Sequence, residues 1–173
     1  PPGLIYLESW LTDDLHDEIV RVIDAHTYGE SLSRRTQHYG YFYDYSTAEV
    51  DLTKPAPEAP DLLLQMARRL CGDGYFHRVP DQIIVNEYLA GQGISAHIDR
   101  LSFGPVVATV SLLESWPMLF RQTGTDPIEV QLSKGSVAVM CGESRTTWTH
   151  EIMKRKSDIV GGLRVPRGRR LSV

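Results

Sequence analysis

With 173 residues, of which 42% are hydrophobic and 23% charged, the chain has the ordinary balance of a globular protein and is most simply one domain with a sizeable core. No run of about 18 apolar residues occurs, and the N-terminus lacks the basic and apolar regions of a signal peptide, so neither a membrane span nor a signal sequence is predicted. Two cysteines form no disulfide framework and no C-x-x-C pair, which favours a reducing compartment: the cytoplasm or, in a eukaryote, the nucleus.

The charge is divided unevenly along the chain. Residues 1–120 carry 8 basic against 17 acidic side chains, whereas residues 121–173 carry 10 against 5. The net charge of −4 therefore hides a basic C-terminal part. One face could bind a polyanion such as nucleic acid, although basic residues also cluster on ordinary solvated surfaces.

Two amphipathic helices are predicted in the first half of the chain. Thr12 is a good N-cap, acidic residues follow it, and apolar residues then recur at helical spacing. A second helix begins near Pro60 and ends at Gly72 or Gly74. Between them, aromatic residues with a period of two in segment 34–45 predict an extended ribbon or hairpin.

After Pro80 the sequence changes to short strands separated by turn residues. The predicted strands are 82–88, 106–112, 118–121, 128–132, 136–140, 147–152 and a last one that opens at Arg170. Many short strands at regular spacing are typical of a sandwich or barrel. The predicted fold class is therefore α+β, with a jelly-roll core at about 80–173 and the N-terminal helices packed outside it.

Three residues match the ligand set of a mononuclear non-haem iron(II) site. His97 and Asp99 lie two positions apart, and side chains at that spacing on a strand point to the same face. His150 can supply the third ligand from another strand. Two imidazoles and one carboxylate leave coordination positions open for a co-substrate and O₂.

The segment before these ligands carries the pattern N-x-Y-x-x-G-x-G-I-x-x-H-x-D, from Asn86 to Asp99, and a W-x-H-x-I motif and a C-terminal arginine follow. In these motifs the chain resembles the AlkB family of iron(II)- and 2-oxoglutarate-dependent dioxygenases, over about residues 34–173. It looks most like the AlkB domain of the tRNA wobble-uridine hydroxylase and like bacterial AlkB-like proteins. The resemblance implies a double-stranded β-helix, which is a jelly roll.

The resemblance also implies a role for each matched residue. The iron ligands would be His97, Asp99 and His150. The contacts to 2-oxoglutarate would come from Asn86, Tyr88 and Arg170. Trp148 lies two residues before His150 and shares its face, so it would either pack beside the metal and co-substrate or simply fill the barrel. In the family a second arginine follows the first after five residues, and here it would fall just beyond Val173; Arg164 and Arg169 are the competing candidates for the first. Repair members place an acidic residue two positions after the ligand aspartate, where this chain has Leu101.

The function implied is oxidative dealkylation (demethylation) of a modified base in DNA or RNA, with Fe(II), 2-oxoglutarate and O₂. A base inside a duplex is out of reach, so a single strand or a flipped nucleotide is the expected partner, and the protein is expected to be monomeric. One alternative, which Leu101 favours, is hydroxylation of a modified tRNA wobble uridine. A second is a catalytically silent nucleic-acid-binding module of the same fold.

Segment 34–45 is the predicted substrate lid. Arg34 or Arg35 would contact phosphate, and one of Tyr39, Tyr41 and Tyr43 would stack against the base. The competing interpretation is a structural ribbon, because aromatic residues favour strands for packing reasons alone.

Overall fold

The computed structural model of the chain describes residues 1–30, 32–47 and 49–173. The helices within these residues are α1 (Asp13–Asp24), α2 (Asp61–Gly72) and the short α3 (Gly142–Thr146). The strands are β1 (Leu4–Leu7), β2 (Arg35–Tyr39), β3 (Tyr41–Asp44), β4 (Glu49–Pro55), β5 (Ile83–Tyr88), β6 (Ile94–His97), β7 (Val107–Leu113), β8 (Trp116–Arg121), β9 (Ile128–Leu132), β10 (Val137–Met140), β11 (Thr149–Ile152), β12 (Ser157–Val160), β13 (Leu163–Pro166) and β14 (Arg170–Ser172).

Two antiparallel sheets form the body of the molecule. The larger has the strand order β1-β10-β7-β14-β5-β2, and the smaller has the order β6-β11-β8-β9. Two further ribbons, β3-β4 and β12-β13, stand outside these sheets. The jelly-roll prediction is confirmed, because the two sheets enclose an apolar cluster to which both contribute.

The larger sheet is covered on both faces, and the side chains of β10 illustrate this. Val137 and Val139 pack on the side covered by the helices, whereas Ala138 and Met140 point into the space between the sheets. This alternation is the period of two that a strand imposes on its side chains. The helix side is closed by apolar residues of α1 and α2, among them Ile19, Ile23 and Leu63.

Both predicted N-terminal helices are present. The Thr12 side chain accepts a hydrogen bond from the Leu15 amide at 3.4 Å, which satisfies one of the free amides at the start of α1. Helix α2 ends at Gly72, as its sequence indicates. Among the described residues, no helix is both long and apolar enough to cross a bilayer.

The prediction that 34–45 forms one ribbon or hairpin is wrong. Strand β2 pairs with β5 in the larger sheet, whereas β3 pairs with β4. Gly40 separates them with a φ of +79°, and a Cβ there would lie 2.0 Å from the Asp81 carbonyl oxygen. The chain therefore leaves the sheet at a turn that only glycine can make, and β3 continues as a separate element.

Ribbon β12-β13 and helix α3 were not predicted. Arg167, which follows the ribbon, is buried and donates to both carboxylate oxygens of Asp158 at 2.6 and 2.8 Å. Its guanidinium also lies 4.3 Å from the centre of the Trp116 ring. A long-range ion pair of this kind has no signature in the local sequence.

Candidate metal centre

The two histidines of the predicted triad lie opposite each other on neighbouring strands. His97 on β6 and His150 on β11 are paired across the ladder, and their ring centres are 4.4 Å apart. Gly93, just before β6, permits this pairing, since a Cβ there would lie 2.1 Å from the Ile152 carbonyl oxygen. The glycine therefore lets the chain approach β11 closely enough to bring the imidazoles together.

Asp99 completes the cluster from the turn after β6. Its carboxylate oxygens lie 3.4 Å from His97 Nε2 and 3.7 Å from His150 Nε2, and the ligand atoms of all three residues lie within 4.8 Å of one another. His97 Nδ1 lies 2.7 Å from the Ser95 carbonyl and can donate to it, which leaves Nε2 as the ligand atom. The geometry can hold one metal ion on two nitrogens and a carboxylate.

The electrostatics of the cluster suit a cation. Burial lowers the pKa of His150 to about 4, so its imidazole is neutral at pH 7. Burial tends to raise the pKa of Asp99, but the neighbouring His97 and His150 outweigh it and the pKa is lowered. For His97, burial is outweighed by Asp99 and the Ser95 carbonyl, and the pKa is raised. The negative charge of Asp99 favours a positive charge on the neighbouring His97 imidazole. A bound metal ion would supply that positive charge in place of the proton.

Arg145 on α3 braces the turn that carries Asp99. Its side chain is buried and donates to the Asp99 carbonyl at 2.8 Å and to the Arg100 carbonyl at 2.6 Å. Helix α3 ends four residues before His150. One short segment therefore supplies the ligand His150 and also Arg145, which supports the turn of the ligand Asp99. Arg145 was not singled out from the sequence, because contacts to backbone carbonyls have no characteristic residue spacing.

We expect Arg145→Gln to weaken metal binding by about 10- to 100-fold, the range seen when the support of a ligand is removed. The variant leaves two backbone carbonyls without their donors, so the Asp99 turn relaxes. Calorimetric titration with Mn(II) at a temperature where the protein is folded measures the effect. Arg121→Gln is the matched control, because Arg121 pairs with Glu151 at the surface. Unchanged affinity in Arg145→Gln would assign this arginine to stability alone.

A buried arginine faces the interior from the larger sheet. Arg170 is 1% exposed, pairs across the ladder with Tyr88, and has its guanidinium 5.5 Å from the centre of that ring. One Nη donates to Ser111 Oγ at 2.9 Å. Burial lowers the pKa of Arg170 to about 10, so the side chain remains a cation at neutral pH. No carboxylate among the described residues pairs with it.

Among the buried donors that lack a partner within the described residues are Arg170 Nε and the Trp148 indole nitrogen. An unsatisfied buried donor costs about 1–3 kcal/mol, and more when it is charged. A dicarboxylate placed between the sheets would satisfy the guanidinium, so the residues present fit 2-oxoglutarate. The competing arginines are engaged elsewhere: Arg169 with Asp24 and Glu87, and Arg164 with Ser157 on the outer ribbon.

The aromatic ribbon stands next to the metal centre. Tyr43 on β3 lies 5.1 Å from Phe103 and 5.0 Å from Tyr45, measured between ring centres. Phe103 belongs to the 3₁₀ turn Leu101–Phe103, which begins two residues after Asp99. Arg34 lies on the same side, where its Nε donates to Asn86 Oδ1 at 2.8 Å. Tyr45 is the last residue of the predicted lid segment, whereas Phe103 was not singled out from the sequence because it stands in no recognisable motif.

Two of the predicted lid residues lie elsewhere. Tyr39 is 4% exposed and packs in the helix-covered core, where its hydroxyl donates to Gln37 Oε1, so its ring is not available to a base. Arg35 points to the same face of the sheet, the one covered by the helices, and forms a two-bond pair with Glu87 at 2.6 and 2.8 Å. The sheet alternation that brings Asn86 inward therefore turns Arg35 outward, and Arg34, Tyr41 and Tyr43 remain as candidates.

Comparison with known proteins agrees with this geometry. The profile of the 2OG-Fe(II) oxygenase superfamily matches residues 8–173. The chain is 34% identical over 169 residues to mouse (Mus musculus) tRNA (carboxymethyluridine(34)-5-O)-methyltransferase ALKBH8, covering 92% of this chain but only 26% of that protein. It is 30% identical over 119 residues to alpha-ketoglutarate-dependent dioxygenase AlkB of Escherichia coli (strain K12), covering 66% of this chain and 54% of that protein.

Similarity of fold extends further than similarity of sequence. The solved structure of OsALKBH1 superimposes with a TM-score of 0.71 at 20% identity, covering 99% of this chain and 96% of that one. The superfamily match covers nearly the whole chain, and AlkB proteins align along most of the same stretch. The chain therefore belongs to the AlkB family of the 2OG-Fe(II) oxygenases, dioxygenases that use Fe(II), 2-oxoglutarate and O₂.

Proposed function

We propose that this chain oxidatively demethylates a modified base in DNA or RNA, with Fe(II) held by His97, Asp99 and His150. The observation that carries the proposal is a complete ligand triad together with a buried guanidinium, Arg170, that pairs with no carboxylate among the described residues and leaves Nε without a partner. When bound, ferrous iron activates O₂ at the expense of 2-oxoglutarate and so supplies the oxidising power for C–H hydroxylation. A hydroxylated N-methyl group then leaves as formaldehyde.

The residues of the larger sheet would bind and orient the co-substrate. Arg170 would pair with its distal carboxylate, with Tyr88 beside it, because a planar guanidinium matches a carboxylate in two hydrogen bonds. Asn86 lies two residues before Tyr88 and shares its face, nearer to Arg34. Trp148, buried among Tyr88 and the apolar side chains of the interior, would keep this space dry.

The substrate would enter beneath the β3-β4 ribbon as a single strand or a flipped nucleotide. Aromatic rings of the ribbon offer stacking surfaces, and Arg34 offers a charge near the opening. Leu101 is 77% exposed, in the turn that follows Asp99, and gives the rim an apolar side chain instead of an acidic one. Such a rim does not hydrogen-bond an exocyclic amino group.

Hydroxylation of a modified tRNA wobble uridine is the second candidate. The apolar Leu101 favours it, since uracil has no exocyclic amino group to be recognised. The name of the mouse relative, which refers to carboxymethyluridine at tRNA position 34, favours it as well. The chain spans 26% of that relative, so the relative's methyltransferase activity is not proposed for it.

A mass-spectrometric screen tests the proposal. The protein is incubated with Fe(II), ascorbate and 2-oxoglutarate, together with methylated DNA oligonucleotides, methylated RNA oligonucleotides or unfractionated tRNA. Demethylation is expected to yield succinate and formaldehyde in equal amounts, whereas hydroxylation of wobble uridine yields succinate and a product 16 mass units heavier, the mass of one oxygen atom. Absence of succinate in every reaction, with metal bound, would contradict both functions and indicate a silent binding module.

We expect Tyr43→Ala to weaken binding of a single-stranded substrate by about 1–3 kcal/mol, the contribution of one stacked base. Uncoupled turnover of 2-oxoglutarate should remain nearly intact, because within the described residues no ring contact or hydrogen bond joins Tyr43 to the triad. Oligonucleotide affinity, succinate formation and thermal stability are measured on the same samples. Tyr39→Ala is the matched control: its ring is in the core, so the melting temperature should fall instead. If Tyr43→Ala behaves like that control, the ribbon is structural.

A further inference from the structure

Arg34 touches a predicted co-substrate residue and the aromatic ribbon at once. Its Nε donates to Asn86 Oδ1 at 2.8 Å, and its guanidinium carbon lies 5.5 Å from the centre of the Tyr45 ring. Arg34 therefore joins the aromatic ribbon to Asn86, a residue predicted to bind the co-substrate.

The contact with Arg34 determines which way the Asn86 amide faces. A guanidinium can only donate hydrogen bonds, so the amide atom that faces Arg34 must be the oxygen. The other end of the same amide, Nδ2, then points away from Arg34 as a pair of donors. A carboxylate accepts hydrogen bonds and does not donate them, so Asn86 can bind an anionic co-substrate only in this orientation.

On its other side, Arg34 is connected to the metal centre by contacts between aromatic rings. Tyr45 packs edge-on against Tyr43, and Tyr43 packs against Phe103. Phe103 closes the turn that Asp99 and Arg100 open. The lid and the co-substrate pocket are thus connected by a continuous set of contacts, with Arg34 at the junction.

We propose that Arg34 is a positioning residue that orients the Asn86 amide toward 2-oxoglutarate and thereby couples co-substrate binding to the ordering of the aromatic ribbon. This inference rests on the proposed function. Co-substrate that binds Asn86 Nδ2 fixes the amide, the fixed amide holds Arg34, and Arg34 holds Tyr45. Because part of the lid is then already ordered, a nucleic acid that stacks beneath it loses less conformational entropy on binding.

The first test measures 2-oxoglutarate affinity by calorimetry with Mn(II) in place of iron, so that no turnover occurs. Arg34→Met is expected to raise the Kd of 2-oxoglutarate about 5- to 10-fold, close to the net contribution of one typical hydrogen bond, because the amide is then free to turn away from the co-substrate. In an Asn86→Ala background, Arg34→Met should have no further effect, because there is no amide left to orient. Arg35→Met is the matched control, since Arg35 faces the opposite side of the sheet.

The second test measures the affinity of a methylated single-stranded oligonucleotide with and without 2-oxoglutarate. Wild type should bind the oligonucleotide several-fold more tightly with co-substrate present, and reciprocity requires the same factor for 2-oxoglutarate. In Arg34→Met this factor should fall to about one, and Arg34→Lys should restore part of it.

Two outcomes would overturn the inference: an unchanged Kd and coupling factor in Arg34→Met, or an effect of Arg34→Met that persists fully without Asn86. Failure of wild type to bind 2-oxoglutarate at all would instead overturn the proposed function on which the inference rests.

Discussion

His150→Ala is expected to lose all turnover and to bind Fe(II) at least about 100-fold more weakly than wild type. His97 and Asp99 alone would hold a labile divalent ion poorly, whereas the triad surrounds it from two strands and a turn. The loss should exceed that of Arg145→Gln, because His150 would be a direct ligand and Arg145 only supports one.

Metal content after desalting and succinate formation are the two measurements. His77→Ala is the control, since His77 lies exposed in a loop outside the cluster and should leave both unchanged. A second variant, His150→Gln, preserves more of the buried volume and guards against simple unfolding. Stoichiometric iron and normal turnover in either His150 variant would remove this histidine from the ligand set.

Arg170→Lys is expected to raise the apparent KM for 2-oxoglutarate about tenfold or more. A lysine keeps the charge but presents a single ammonium group, so the two-bond pairing with a carboxylate is lost. A charged hydrogen bond contributes about 1.5–3 kcal/mol, which corresponds to this range. The interior position of Arg170 makes the effect larger than at a surface, because no water replaces the missing contact.

Arg164→Lys provides the comparison for this prediction. Arg164 lies on the exposed β12-β13 ribbon, bonded to Ser157, and its replacement should leave the KM unchanged. Steady-state kinetics at varied 2-oxoglutarate, with metal and oxygen saturating, separates KM from kcat. An unaltered KM in Arg170→Lys, or a raised one in Arg164→Lys, would contradict the assignment of the distal carboxylate.

The triad could be predicted from sequence in part because strand geometry is local. His97 and His150 lie on neighbouring strands as predicted, whereas Asp99 lies in the turn after β6 and not on the strand, so the chemistry of the H-x-D spacing identified it more reliably than strand geometry did. The role of Arg145 could not be predicted, since its guanidinium reaches backbone carbonyls of Asp99 and Arg100 that any residues would present. The sequence identifies metal ligands by their chemistry, but it gives little information about side chains whose partners are backbone atoms.

In the predicted lid, the aromatic period of two led to a wrong prediction about which side chains share a face. Tyr39, Tyr41 and Tyr43 stand at intervals of two, which on one strand would place them on one face. The left-handed turn at Gly40 separates the first from the others, so Tyr39 packs in the core while Tyr41 and Tyr43 lie on the ribbon. Gly40 is visible in the sequence, but its approach to Asp81 depends on a contact from beyond α2.

The uncompensated charge of Arg170 also bears on how firmly the protein is folded. A buried cation without a counter-ion destabilises the native state, so Arg170→Met should melt at a higher temperature than wild type when both are free of ligand. Wild type should recover stability as 2-oxoglutarate binds, by about 2.7 kcal/mol at a concentration 100 times the Kd, and the methionine variant should not. Differential scanning calorimetry over a range of co-substrate concentrations measures both effects. 2-Oxoglutarate would then supply the counter-ion that the core lacks. Its concentration would affect the stability of the fold as well as the rate of the reaction.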